Sequence, residues 1–392
     1  MWQEARSHWA HKARERLMRV VLSVDALATV MTGIGRYTWE LATRLPQIFG
    51  TDHVRYFMQD RLIKDPAALL QGAQGATASP KQLRKPPWLP LPRWWKKLCL
   101  RRACNGNIFH GPNYFLPVCA DIGIATVHDL SVFKFPETHP ANRIRQFERE
   151  FGRTVARASH LITDSEAMRD EVIGYLAWPV EKVTAVPLGV SVEFAPRSDE
   201  LVVPCMQKYD LTRNGYTLCV STLEPRKKIE NLLEAYHHIP ASLRTRFPLI
   251  LAGSSGWSCE TLQGRIELFS RQGWLRYVGF VPQSDLPLLY AGARLFTYPS
   301  SYEGFGLPVL EAMASGIPVV TSNRSSLPEI TQGAALLADP DNVGALAELI
   351  VKGLCDESWR SLAASRGQEV AQEYSWERCI EQTVRVYEGV VG

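Results

Sequence analysis

The stretch Pro299-Ser-Ser-Tyr-Glu-Gly-Phe-Gly-Leu-Pro-Val-Leu-Glu-Ala-Met-Ala-Ser-Gly-Ile-Pro-Val-Val320 decides the fold of this chain. It reads as strand end, glycine loop, helix, glycine stop and strand. Pro308 suits the first helical turn and Gly316 suits the C-terminal cap. Glu303 falls in the loop. Glu311 falls one turn inside the helix, where side chains tilt toward the N-terminus. Both carboxylates therefore reach the space above the helix start. The free N–H groups of Gly304, Phe305, Gly306 and Leu307 point there too, at the positive end of the helix dipole. Carboxylates accept hydrogen bonds from sugar hydroxyls, and open N–H groups suit phosphate oxygens. The predicted site takes a sugar attached to a phosphate. Two glutamates eight apart would, by themselves, be solvated surface acids; the whole stretch carries the reading.

Outward from this stretch, short β-rich runs alternate with amphipathic segments. The strands expected before it are Val20–Val24, Val54–Met58, Asn107–His110, Ile122–Val127, His160–Thr163, Lys182–Val186, Thr217–Leu223, Pro248–Leu251, Leu275–Phe280 and Leu295–Tyr298. Pro318–Thr321 and Ala335–Leu337 follow. This spacing predicts parallel sheets covered on both faces by helices, an α/β architecture. The alternation pauses between 191 and 214, where Pro196, Pro204 and Asn214-Gly215 mark turns. The expected organisation is an extension over 1–17, a domain over 18–190, a linker over 191–214 and a second domain over 215–374. The last segment, Ser375–Val391, is placed to pack back on the first domain. Two doubly wound, Rossmann-like halves would face each other across a cleft, with ligands outside the C-terminal strand ends.

The Glu303–Glu311 stretch resembles the E-x7-E signature of the retaining GT-B glycosyltransferases of family 4. The resemblance extends over most of residues 18–392. Gly33 and Gly35, in Thr32-Gly-Ile-Gly-Arg-Tyr37, look like the family's first glycine loop, which lets backbone approach a phosphate at a helix start. A nicotinamide oxidoreductase would need a third glycine where Thr38 stands. His128 and Asp129 end a strand; the resemblance places His128 in the cleft against the donor sugar, with Asp129 as its orienting partner. Lys227 matches the family's phosphate-binding lysine, whereas the usual upstream arginine is replaced by Thr222 and Arg226 stands beside Lys227. That departure leaves the role of Arg226 open. Gly253 and Ser254 are expected near the donor phosphate or ribose, and backbone groups near Val281 at the nucleobase edge. Asp339-Pro340-Asp341 matches a metal-binding DxD formally but reads as a helix N-cap.

The resemblance implies transfer of a sugar from a nucleotide sugar with retention of configuration and without an essential metal. His128, Glu303 and Lys227 would be the catalytic residues and Glu311 the ribose binder. The Leu-Glu-Pro-Arg-Lys form around Arg226 is similar to that of bacterial O-antigen mannosyl- and rhamnosyltransferases. It favours GDP-mannose or GDP-rhamnose as donor and an undecaprenyl diphosphate type glycan as acceptor; UDP-sugars remain an alternative. A non-catalytic sugar-nucleotide-binding protein is the further alternative.

Composition sets the frame. The chain has 392 residues, 46% of them hydrophobic, with 44 Lys+Arg against 40 Asp+Glu. That is a globular composition for two domains, and a net charge of +4 argues against a nucleic-acid partner. The charge is uneven, however. Between Asp65 and Asp121 there is no acid, but there are eight cations: Lys81, Arg84, Lys85, Arg93, Lys96, Lys97, Arg101 and Arg102. Trp88, Trp94 and Trp95 lie among them. Tryptophan favours the membrane–water interface and cations favour anionic headgroups, so this stretch reads as a monotopic dock on the acceptor-side domain. No apolar window is long enough to span a bilayer, and the eight cysteines form no CxxC pair. The expected place is cytoplasmic, peripheral at the inner face of the plasma membrane. Residues 1–17 read as an extension, or more sharply as an amphipathic surface helix.

Overall fold

The computed structural model describes residues 18–28, 33–59, 61–74, 93–138, 141–254 and 260–392. Two sheets organise them. The first has seven strands in the order β3-β2-β1-β4-β5-β6-β7. Here β1 is Val20–Ser23, β2 Val54–Met58, β3 Arg61–Ile63, β4 Ile108–Gly111, β5 Ile122–Val127, β6 Ala158–Thr163 and β7 Val183–Ala185. The second has six, in the order β10-β9-β8-β11-β12-β13. Its strands are β8 Thr217–Val220, β9 Leu249–Ala252, β10 Leu275–Gly279, β11 Leu295–Tyr298, β12 Val319–Ser322 and β13 Leu336–Ala338. All pairings are parallel except β2 with β3. β9, β11 and β12 are buried along their whole length. Helices on both faces therefore cover a continuously apolar sheet, which is why these strands show no alternation. Each sheet reverses its strand order beside its first strand, at β1/β4 and at β8/β11. Loops leaving the C-terminal ends diverge there and open a crevice.

Two elements differ from the sequence reading. β3 was not expected; it is a three-residue antiparallel edge strand, too short and too exposed to leave a hydrophobic signature. The stretch 191–214, read as a turn-rich linker, contains a helix, Asp199–Lys208. Its buried Val202, Cys205 and Met206 recur at helical spacing, and that apolar face outweighs the proline at 204.

The final helix, Trp376–Val391, is capped by the Ser375 hydroxyl and crosses back onto the first sheet's side of the molecule. Arg44 pairs with Glu377 at 3.1 Å. Further along, the Tyr387 hydroxyl meets His110 Nδ1 at 2.6 Å, and His110 Nε2 meets the Thr126 hydroxyl at 2.8 Å. All three side chains are buried. Burial pushes the His110 ring down to about 3, so it is neutral and both nitrogens serve as hydrogen-bonding atoms. Among the described residues, no helix is long and apolar enough to cross a membrane.

Tyr387→Phe keeps the ring and deletes one buried partner of His110. It is expected to lower the unfolding free energy by about 1–3 kcal/mol. Urea unfolding reads this as a lower midpoint with an unchanged slope.

Candidate active site

The loop from β11 to the helix Leu307–Ala314 carries the site. Pro308 lies in the first turn of that helix, Gly306 precedes it with φ +115°, and Gly316 with φ +73° follows its end. A side chain at Gly306 would both force a left-handed L-residue and meet Leu327 at 2.7 Å. Gly306 is thus required for the sharp turn between Glu303 and the helix.

Glu303 is buried and held on three sides. Lys227 Nζ donates to its Oε1 at 2.5 Å, and the Tyr298 hydroxyl donates to the same oxygen at 2.8 Å. Arg226 Nη1 approaches its Oε2 at 3.5 Å. Lys227 also donates to the Tyr298 hydroxyl at 2.8 Å. Arg226 is fixed by Glu224 at 3.0 Å and by the Tyr302 carbonyl at 3.0 Å. Burial alone would raise the Glu303 carboxyl, but Lys227 and Arg226 outweigh it and bring it down to about 2. Lys227 moves down from the ordinary lysine value, because burial and the Arg226 charge exceed the pull of Glu303. The structure therefore gives Arg226 a place: it shares the Glu303 carboxylate with Lys227.

Glu311 lies half-buried inside the helix. Burial pushes it up to about 7, against the opposing effects of the Tyr290 hydroxyl and the Arg36 charge. Gly253 and Ser254 follow β9 and stand beside the Lys227 loop, since Leu223 N–H donates to the Ser254 carbonyl at 3.1 Å. Tyr277, half exposed, donates to the Gly253 carbonyl at 2.9 Å, and Val281 is buried just beyond.

The first domain closes over this loop. A Cβ added to Gly304 would lie 1.6 Å from the His128 carbonyl oxygen, so glycine is required for the two backbones to touch. Gly33, at the start of the helix Gly33–Phe49, faces Leu307, and Gly35 is buried within the first turn. Ser165 Oγ donates to the Gly304 carbonyl at 2.7 Å. The Tyr302 hydroxyl accepts from Leu130 N–H at 2.9 Å and donates to Glu171 at 3.0 Å. Glu329 accepts from the N–H groups of Glu166 and Ala167, both at 2.9 Å, at the start of the helix Glu166–Leu176. A carboxylate of one domain thus sits on a helix N-terminus of the other.

The pairing expected for His128 is corrected. Its Nδ1 meets Asp164 at 2.7 Å and its Nε2 donates to the Pro112 carbonyl at 2.7 Å. Asp129 is not its partner. Both nitrogens of the buried ring are engaged, so the ring has no nitrogen left for a sugar hydroxyl. Burial opposes the charged ring, but the Asp164 carboxylate and these hydrogen bonds hold its pKa above the ordinary histidine value. Asp129 instead accepts from Ser131 N–H at 2.9 Å and from the Tyr114 hydroxyl at 3.3 Å. The reading of Asp339-Pro-Asp341 as a cap is also corrected. Asn342 caps the following helix, while Asp339 and Asp341 pair with Arg324. Among the described residues, no group of three or more His, Cys, Asp or Glu side chains could hold a metal ion.

Tyr298, Asp164, Glu224 and Tyr302 escaped the sequence reading. Asp164 had a usable signal, being an acid one residue past a strand end. Tyr298 reads as an ordinary strand aromatic. Of the basic stretch, Lys81, Arg84, Lys85 and Trp88 lie outside the described residues. Arg93, Trp94, Trp95, Lys96 and Lys97 lie on the helix Arg93–Cys104, whose last turn exposes Arg101 and Arg102.

Two parallel-sheet halves, the second carrying a buried carboxylate flanked by two cations, match known proteins over most of the chain. The family model described as Glycosyltransferase Family 4 matches residues 31–194, and that of Glycosyl transferases group 1 matches residues 206–370. The chain belongs to this family and is a glycosyltransferase of the GT-B fold. It is 39% identical over 383 residues to O-antigen chain mannosyltransferase B of Escherichia coli, across 94% of this chain and 99% of that protein. Among solved structures, sucrose-phosphate synthase from Thermosynechococcus elongatus superposes with a TM-score of 0.69 at 21% identity, covering 95% of this chain and 99% of that one. The Anabaena protein HepE in complex with UDP-glucose superposes with a TM-score of 0.71 at 18% identity, covering 95% of this chain and 100% of that one.

The depressed Glu303 carboxyl makes a pH prediction. Its folded value of about 2 lies below the ordinary 4.5, so its contribution to stability is present above about pH 4.5 and is lost as pH falls toward 2. In Glu303→Gln that acid-side loss should be smaller, while stability at pH 7 drops because Lys227 and Arg226 lose their counter-ion. Urea midpoints measured from pH 7 to pH 3 on both proteins check it.

Proposed function

We propose that this enzyme transfers mannose, or a deoxymannose such as rhamnose, from a GDP-sugar to a lipid-linked glycan, with retention of configuration. The observation that carries the reading is the Arg226–Lys227 cation pair on Glu303 at the start of a glycine-capped helix. A diphosphate next to that helix start meets both cations and the free N–H groups of Phe305, Gly306 and Leu307. Glu303 remains ionised and faces the sugar carbon, where positive charge develops. Glu311 accepts from the ribose hydroxyls. The sugar–phosphate C–O bond breaks as the acceptor oxygen bonds to the same carbon on the same face. The acceptor proton passes to the departing diphosphate oxygen, so charge stabilisation and positioning supply the catalysis. No step in this route calls for a metal. His128 contributes by position: fixed by Asp164 and Pro112, it presents its carbonyl to Gly304 and sets how closely the domains shut.

The mannose assignment and the O-antigen setting rest on the similarity to the Escherichia coli mannosyltransferase along nearly its whole length. The lipid-linked acceptor and the inner membrane face rest on the Arg93–Cys104 helix. Arg101, Arg102 and Leu98 are exposed there, the last at 38%. The Asp121 carboxylate accepts from Gly106 N–H at 2.9 Å, beside a loop that carries Val118 at 81% exposure. Cations and apolar side chains together on one edge suit an anionic bilayer surface.

A panel of GDP-, UDP- and dTDP-sugars with a lipid-diphosphate acceptor analogue, read by mass spectrometry, tests the donor. GDP-mannose or GDP-rhamnose should give product, and Glu311→Ala should lose most of it while remaining folded. Product from UDP-sugars alone would replace the GDP assignment. Because Glu311 titrates near 7 and accepts hydrogen bonds only when ionised, donor affinity should rise as pH increases through 7. Glu311→Gln should flatten that rise in calorimetric titrations.

Sedimentation with phosphatidylglycerol vesicles tests the dock. Lys96, Lys97, Arg101 and Arg102 together changed to Glu should abolish co-sedimentation, and unchanged sedimentation would reject it.

A further inference from the structure

Beside the cleft, the first domain carries a row of aromatic rings that the mechanism does not use. Phe115 comes from the loop after β4, Phe147 from the helix Ala141–Val155, Phe133 from the turn Ser131–Lys134 and Tyr175 from the helix Glu166–Leu176. Successive ring centroids lie 5.3, 5.6 and 5.1 Å apart. Phe151 is buried beneath them, and Phe133 and Phe147 pack on that core while remaining partly exposed. The ends of the row are open, Phe115 at 37% and Tyr175 at 50% exposure. Four separate elements thus deliver one ring each to a partly exposed line, against the burial that the hydrophobic effect favours.

The row is continuous with the cleft. The Tyr114 ring lies 5.0 Å from Phe147 and 5.8 Å from His128. Its backbone is held at φ +63°, an unusual conformation for a bulky residue, and its hydroxyl accepts from Asp129 N–H at 3.0 Å. Tyr114 therefore joins the floor of the cleft to the start of the row. We propose that this aromatic row is the acceptor subsite that holds the glycan chain, stacking the apolar C–H faces of successive pyranoses. This deepens the reading given under Proposed function and rests on it.

The chemistry favours a neutral sugar chain. Lys134 is taken up by Glu171, and Arg149 and Arg153, on the helix that carries Phe147, both lie against Glu150, so these three cations already have carboxylate partners. Three phenylalanine rings offer apolar surface to pyranose C–H groups, and the tyrosine at the end of the row adds one hydroxyl that can pair with a sugar hydroxyl.

The test changes only the exposed ends, Phe115→Ala and Tyr175→Ala, singly and together, in the full chain. Acceptors are a mannoside and a mannotetraose, each with a methyl and with a long alkyl aglycone. The wild type should prefer the tetraose. The double variant should raise its KM about tenfold, with kcat, donor KM and the mannoside KM unchanged. Saturation-transfer NMR with mannotetraose should lose its signal in the same variant, and this readout needs no turnover. A wild type without preference for chain length, or variants within twofold in KM, overturns the proposal. A defect confined to the alkyl acceptors overturns it in favour of a lipid subsite. No transfer by the wild type from any donor, with tetraose binding intact, would count against the mannosyltransferase reading and leave the subsite standing.

Discussion

The Glu303 carboxylate stays ionised in a buried position only because Lys227 and Arg226 stand beside it, and each of those cations depends on it in turn. Lys227 comes from the loop after β8, and Glu303 from the loop after β11. These strands are neighbours in the sheet although their starts lie 78 positions apart in the chain, Thr217 pairing with Leu295. The parallel order of the second sheet exists, in functional terms, to bring these two loops together. A buried ion pair of this kind is weak as a source of stability, since desolvating both charges offsets much of their attraction. Its persistence is better explained by what a second anion finds there. In the proposed reaction, a diphosphate arriving at the helix start would meet cations already desolvated and already aimed.

The first domain completes the site through backbone contact. Gly304 touches the His128 carbonyl, and only hydrogen fits between them. Around this point the polar ties come in both directions. Ser165 donates into the glycine loop, Glu329 accepts from the helix start at Glu166, and Tyr302 bridges Leu130 and Glu171. Every one of these groups has a partner on the other side of the cleft. Opening the domains would leave a helix N-terminus and several loop groups to water, and it would also draw the buried Tyr302 ring out of the first domain's apolar cluster, where it lies 5.2 Å from Phe135.

The fold was legible because parallel strands buried on both faces are written as uninterrupted apolar runs, and twelve of them stood out between glycine and proline marks. β3 left no such mark, and the helix Asp199–Lys208 was hidden by Pro204. At the site, Glu303 was readable from the strand, glycine loop and helix pattern, and Arg226 and Lys227 were singled out by the family resemblance; the structure brings these three side chains together. The partner of His128 was not. Asp129 is adjacent in sequence, but side chains of adjacent residues at a strand end point apart. Asp164, from the neighbouring strand β6, lies level with it because β5 and β6 run in parallel register. Sequence proximity misleads wherever a sheet sets proximity across strands.

Two glutamates on one turn of chain end up with opposite acidities. Glu303, between cations, lies near 2, whereas Glu311, desolvated and opposed only by the Tyr290 hydroxyl and the Arg36 charge, lies near 7. The separation follows from where the glycine loop stops. Gly306 turns Glu303 back toward the β8 loop, while the first helical turn carries Glu311 into the packing around Tyr290. One acid is therefore always charged and suits a developing cation. The other changes charge near neutrality and suits hydroxyls that need an acceptor when they arrive. Shortening the loop by one residue would rotate both out of these surroundings, so the spacing of eight between them records a physical division of labour within a single helix start.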